Sequence, residues 1–175
     1  MPVSVADART HLRIHSSVAS EDLRIERLIK AATAWVEQWT GRRLVTQSVT
    51  ELWDGFPSCR AYLHVYPINS LVVKYDDTDD VERTLSASEY WSHIARRPPM
   101  LESKSGWPST KAKAAAVRIE CEVGTTPALV PDEIKESIFH LVEHLYDNPG
   151  VILTGSAQLV PMGVKALLAN HKLFF

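Results

Sequence analysis

The residues best placed to do chemistry are His140-Leu141-Val142-Glu143-His144. This is an H-x-x-E-H pattern, the inverted zincin signature. Histidines four apart share one helix face and can chelate one zinc ion, while the glutamate activates a bound water. A zinc-dependent hydrolase built on His140, Glu143 and His144 also needs a third protein ligand, usually an acidic residue well downstream. After Glu143 the only acidic residue is Asp147, one helical turn on. In a chain with seven histidines the pattern arises easily by chance, so solvated histidines on a polar helix face are the expectation. Pro149-Gly150-Val151-Ile152-Leu153-Thr154-Gly155-Ser156 lacks the lysine of a phosphate loop, and no G-x-S-x-G elbow is present. Asp76-Asp77-Thr78-Asp79-Asp80 has the composition of a calcium loop without its central glycine or closing glutamate, and reads as a solvated hairpin tip. Arg42-Arg43 and Arg96-Arg97 read as isolated basic pairs. Lys104, Lys111 and Lys113 around Trp107 read as a solvated loop with one anchoring tryptophan, although the same set could stack on and contact a nucleic acid. Cys59 and Cys121 form neither a disulfide framework nor a zinc knuckle and are expected as reduced thiols.

The elements that carry these residues follow from periodicity. Ser4 and Asp7 form a variant capping box ahead of Val5, Ala8 and Leu12, which share one face. Ser16, Ser17 and Ser20 mark a loop, with Ser20 as the N-cap of a long amphipathic helix. Its apolar stripe is Ile25, Leu28, Ile29, Ala32, Val36 and Trp39, and Gly41 is its stop. The middle third is β-rich, with runs at 44–53, 61–65, 70–75, 89–95 and 117–123 broken by turn clusters. In the last run Val117, Ile119, Cys121 and Val123 alternate with Arg118, Glu120 and Glu122, as expected of an antiparallel sheet covered on one face. Pro131, Asp132 and Glu133 open a later helix with the seam Ile134, Ile138, Leu141 and Leu145, and Asn148-Pro149-Gly150 ends it. A mixed stretch at 151–161 and a short helix over 163–169 lead to the apolar end Leu173-Phe174-Phe175.

Helices and strands in separate runs predict an α+β fold. The expected form is a mainly helical core, two N-terminal helices and the later one, with an inserted antiparallel β region. The simplest packing sets the long N-terminal helix against the 131–147 helix. One domain is expected over 1–150, with the insertion at about 43–124 and a C-terminal arm over 151–175. Val164, Leu167, Leu168, Leu173, Phe174 and Phe175 make that arm apolar where chain ends are usually polar, so it either folds back or docks on a partner.

Composition narrows the function classes. The 175 residues are 45% hydrophobic and 23% charged, which predicts a folded protein. Nineteen basic against 21 acidic residues give a charge of -2, excluding a strongly basic nucleic-acid binder but not a local basic patch. The N-terminal residues carry no targeting pattern, and no apolar run approaches the roughly 20 residues that span a bilayer. The expectation is synthesis and folding in the cytoplasm, no membrane partner, and export only within a larger particle.

Nearly end to end, the chain resembles the head–tail connector (adaptor, or head-completion) proteins of tailed double-stranded DNA bacteriophages and gene-transfer particles. The resemblance runs through Val3-Ser4-Val5-Ala6-Asp7-Ala8-Arg9-Thr10-His11-Leu12-Arg13-Ile14, Ile29-Lys30-Ala31-Ala32-Thr33-Ala34-Trp35-Val36-Glu37 and Thr40-Gly41-Arg42. It continues in Trp53-Asp54-Gly55-Phe56-Pro57, Tyr66-Pro67-Ile68, Gly106-Trp107-Pro108, Val117-Arg118-Ile119, Val130-Pro131 and Pro161-Met162-Gly163-Val164-Lys165-Ala166-Leu167-Leu168. Gly124-Thr125 stands where the family usually closes its last strand with a glycine–aromatic pair. The resemblance implies a structural virion protein that forms a ring, commonly of twelve copies, beneath the portal. Such a ring can depend on the portal as its template. The implied partners are further copies of the chain, the portal protein and a stopper or tail-completion protein. DNA would pass through the channel without sequence-specific binding. Neither catalysis nor an obligatory cofactor or metal is implied.

Overall fold

The computed structural model describes residues 1–14, 21–148 and 162–173. The expected loop and cap at Ser16, Ser17 and Ser20, the stop at Pro149-Gly150, the stretch 151–161, and Phe174 and Phe175 lie outside them. The architecture is mixed α and β, with antiparallel sheets. The chain divides into two compact units, one formed by Met1–Thr40 with Thr126–Lys172 and one by Gly41–Thr125 with Leu173–Phe175.

The first unit is helical. It holds α1 (Val5–His11), α2 (Asp22–Thr40), α3 (Asp132–Asp147) and α4 (Met162–Leu168), with short 3-10 turns at Pro127–Leu129 and Ala169–His171. The Ser4 hydroxyl accepts from the Asp7 amide at 3.1 Å, as a cap should. The Asp7 carboxylate accepts from that same hydroxyl at 2.6 Å rather than from the Ser4 amide, because aspartate is a methylene shorter than the glutamate of a full capping box. Helix α2 buries Ile25, Ile29, Ala32, Val36 and Thr40. It ends at Gly41, whose φ of 70° is the left-handed value that terminates helices. Helix α3 buries Ile134, Ser137, Ile138, Leu141 and Val142. The two helices pack together, and the Arg24 guanidinium lies 4.3 Å from the Tyr146 ring centre while donating to the Tyr146 carbonyl at 3.1 Å. Pro131 is the N-cap of α3, one residue earlier than the expected first-turn position. The Asn148 side chain closes the other end by donating to the His144 carbonyl at 2.8 Å. An ion pair between Arg9 and Asp22 ties α1 to α2.

The second unit holds seven strands: β1 (Gln47–Trp53), β2 (Arg60–Tyr62), β3 (Ile68–Asp76), β4 (Glu82–Thr84), β5 (Tyr90–His93), β6 (Met100–Ser103) and β7 (Val117–Val123). They form a sheet of order β1-β7-β3-β4 and a smaller one of order β2-β6-β5. Strand β7 alternates as expected, burying Val117, Ile119, Cys121 and Val123. It pairs on both sides, Cys121 lying opposite Val49 of β1 and Leu71 of β3. The core continues through Leu63, Val73, Tyr90 and Leu101. Two strands are not legible as runs in the sequence. All three residues of β4 are exposed and show no alternation. Strand β6 directly follows Pro98-Pro99, so its first residues read as part of a turn.

Gly124 closes β7 at a φ of 91°. Its amide donates to the Pro67 carbonyl at 3.0 Å, and Thr125 Oγ1 donates to the Leu44 carbonyl at 3.1 Å. A Cβ on residue 124 would stand 2.1 Å from the Val45 carbonyl oxygen. Gly124→Ala is therefore expected to cost about 2 kcal/mol or more, read as a lower urea midpoint with an unchanged slope. An unchanged midpoint would show that the 44–46 backbone yields without cost.

Candidate functional site

The H-x-x-E-H residues lie on α3, but the arrangement differs from a zincin. Glu143 Oε2 lies 3.7 Å from His140 Nδ1 and 3.3 Å from Nε2 of His11, the last residue of α1. His11, His140 and Glu143 are the one metal-competent cluster among the described residues, and His144 is not in it. The sequence reading missed His11 because 129 positions separate it from His140 and only the packing of α1 on α3 brings them together. His144 instead lines a groove of about 800 Å³ between α3 and α4. Val164, Ala166 and Leu167 supply apolar lining there, with Glu133, Glu143 and Asp147 among the acidic residues.

The tail residues divide by burial. Val164, Leu168 and Leu173 are buried, whereas Leu167 is 36% exposed and Met162 83% exposed. Of the apolar contact residues expected from the sequence and described here in the structure, Leu167 is thus the exposed one. Two cation–π contacts hold this segment, with Lys165 Nζ 5.4 Å and Lys172 Nζ 4.6 Å from the Trp39 ring centre.

The basic pairs are not isolated, contrary to expectation. Arg42 and Arg97 both lie against the Tyr66 ring, 5.2 and 5.1 Å from its centre. Arg97 Nε also donates to the Tyr66 hydroxyl at 3.1 Å, and the Arg43 amide donates to the Tyr66 carbonyl at 2.7 Å. Burial, then repulsion from Arg97, pulls the Arg42 guanidinium below its usual value. Pairing across 55 residues is a tertiary fact that local spacing does not reveal.

The lysines near Trp107 are engaged within the chain. Lys104 donates to the Ser88 carbonyl at 2.8 Å, Lys111 to the Thr78 carbonyl at 3.5 Å, and Lys113 pairs with Asp76 and Asp80 at 2.9 and 2.5 Å. Trp107 stacks on Phe56 at 4.8 Å, which is an anchoring role. In the acidic loop, Asp77 accepts from the Asp79 and Val81 amides, each at 3.0 Å, and from Arg83 Nε at 2.9 Å. These carboxylates are committed to the hairpin rather than gathered around an ion. Cys59 is exposed and Cys121 buried, both free, and burial pushes the Cys121 thiol up to about 12.

Asp76 is the buried charge of the sheet unit. Arg118 grips it with two donors, Nη1 to Oδ2 at 2.9 Å and Nη2 to Oδ1 at 2.6 Å, and reaches Glu82 at 2.8 Å. Those bonds, then the one from Lys113, hold the Asp76 carboxyl well below the usual carboxylate range.

The sequence profile of the phage gp6-like head-tail connector proteins matches residues 2–86, from before α1 to just past β4. Over residues 2–86 the chain is thus similar to the phage gp6-like head-tail connector family. The connector role inferred from the sequence rests on this match, and nothing in it supports a zinc hydrolase. A chain in the neck of an empty gene transfer agent (GTA) particle, computed with C6 symmetry, superposes with a TM-score of 0.79 at 20% identity, over 99% of this chain and 91% of that one. A chain of the native GTA virion gives the same values. One from the native GTA neck computed with C12 symmetry gives 0.76 at 19% identity, over 98% and 88%. At such identity the likeness is one of fold. No curated protein sequence matches this chain.

The depressed Asp76 carboxyl sets a pH dependence. Its native pKa lies below the unfolded value of about 3.9, so the stabilisation is complete above that value and is lost as pH falls from there through the native pKa. Asp76→Asn is expected to be less stable than the parent at pH 7 and to show a flatter acid limb in urea midpoints from pH 7 to 2.5. Parallel limbs would assign the acid sensitivity to other carboxylates.

Proposed function

We propose that this protein is a structural adaptor at the head–tail junction of a phage or gene-transfer particle. It is made in the host cytoplasm and ends in the virion, where a ring of copies sits beneath the portal. The ring extends the DNA channel and joins the head to the stopper or tail. The observation that carries this reading is the head-tail connector match over residues 2–86.

Physical features support it. A closed ring needs two different faces on each subunit. A helical unit and an antiparallel sheet unit offer chemically different surfaces, and the sheet unit carries exposed Leu52 and Val72 on otherwise polar strand faces. An overall charge of -2, with Lys111 and Lys113 engaged by acceptors of the chain itself, suits a channel wall past which DNA slides. In this reading 1–150 is the connector domain, a helical core with its β insertion, and 151–175 is the arm that meets the portal, Leu167 being its exposed apolar contact. The role is mechanical and needs neither catalysis nor an obligatory cofactor.

The test is co-purification of tagged protein with portal and tail-completion proteins during particle assembly, repeated with two variants. Leu167→Asp is expected to weaken portal capture at least tenfold and to leave the melting temperature within about 2 °C, since a surface change away from the core costs little. Leu168→Asp buries a charge and is expected to unfold the chain. Unfolding of Leu167→Asp would place that residue in the core and end the arm assignment. Absence of virion proteins from the capture, under conditions where particles form, would end the adaptor reading.

A further inference from the structure

The connector role leaves one polar cluster unused. His11 closes α1, and His140 and Glu143 sit three apart on α3, so all three belong to the helical unit. One donor atom from each lies within 4.8 Å of the other two. For any such triangle there is a point no more than about 2.8 Å from every corner, and zinc requires about 2.0–2.2 Å to imidazole nitrogen and carboxylate oxygen. The donors therefore need to draw in by about 0.8 Å at most, which small side-chain rotations accomplish where His140 and Glu143 are exposed and His11 is half-buried.

The surroundings already orient the rings. The His11 imidazole stacks on Phe139 at 5.3 Å with an 18° interplanar angle, and meets His140 edge-on at 5.6 Å and 79°. Two imidazoles and one carboxylate form a borderline donor set. It favours zinc and its transition-metal neighbours over magnesium or calcium, which take oxygen ligands. We infer that His11, His140 and Glu143 form a three-ligand site for a divalent transition metal of the zinc class, which pins the end of α1 onto α3.

The consequence is structural. Helix α1 has only seven residues, too few to persist without tertiary anchorage. A second side-chain tie is the Arg9–Asp22 ion pair, whose aspartate is 43% exposed. A metal bound only by the folded arrangement would stabilise that arrangement by mass action. The ligand set differs from that of the H-x-x-E-H pattern, because His11 replaces His144.

The experiment uses untagged full-length protein stripped with chelator, titrated with zinc chloride by calorimetry and followed by thermal melting. One zinc per chain with micromolar or tighter affinity is expected, together with a rise of several degrees in melting temperature. Magnesium chloride should give neither. His11→Gln and His140→Gln should each weaken zinc binding tenfold or more and abolish the thermal shift. His144→Gln and Cys59→Ser should leave both unchanged. Should His11→Gln lower the metal-free melting point, the calorimetric affinity at a temperature where it stays folded decides. Absence of saturable zinc binding would overturn the inference. So would parental affinity in His11→Gln, or loss of binding in His144→Gln or Cys59→Ser. Portal capture does not enter these readouts, so failure here leaves the adaptor role standing, and failure of that role leaves the metal site standing.

Discussion

The sheet unit hangs on β7. It makes seven residue pairings along each of its edges, with β1 and with β3, and four of its seven side chains are buried. Its seven pairings with β1 set the register of the unit's first strand against its last, across about 70 residues of chain. The pairing with β3 repeats this on the other edge. A one-residue slip would turn Val117, Ile119, Cys121 and Val123 to water and Arg118 and Glu120 to the core, so the register has no close competitor. The same strand places Arg118 where it can clamp Asp76 and reach Glu82, joining three adjacent strands by charge as well as by backbone.

The two ends of β7 complete that constraint. At one end the Asp76 amide donates to the Ala116 carbonyl at 2.8 Å, and Lys113 adds its charge to the Asp76 carboxylate. At the other, Gly124 lets the backbone pass against Val45 where no side chain fits. Thr125 stands beside it and spends its hydroxyl on the Leu44 carbonyl. Connector function fits an architecture of this kind. A part that transmits load between a head and a tail gains from cross-linked strands more than from a cleft.

Several of the polar features that invite chemical interpretation are structural. The acidic run at 76–80 is a hairpin tip whose Asp76, Asp77 and Asp80 carboxylates are taken up by Arg118, Lys113, Arg83 and backbone amides. Trp107 is an aromatic anchor against Phe56. Arg42 and Arg97 share the Tyr66 ring. The exception is the His11–His140–Glu143 cluster, whose donors converge on one another with His140 and Glu143 exposed and His11 half-buried.

The elements with strong periodicity were legible from residues alone. The stripe from Ile25 to Trp39 and the alternation from Val117 to Val123 each repeat often enough that only one secondary structure buries all their apolar members. Gly41 and Asn148 mark helix ends through backbone and side-chain geometry that is local in sequence. By contrast β4 has no apolar pattern, because all its residues face solvent and its place is set by β3. The grip on Asp76, the sharing of Tyr66 by distant arginines and the replacement of His144 by His11 all join residues tens of positions apart. Spacing along the chain encodes which face of an element a side chain occupies. Which faces meet is decided only when apolar burial packs helix on helix and strand beside strand, and that packing brought Arg118 to Asp76, Arg42 and Arg97 to Tyr66, and His11 to Glu143.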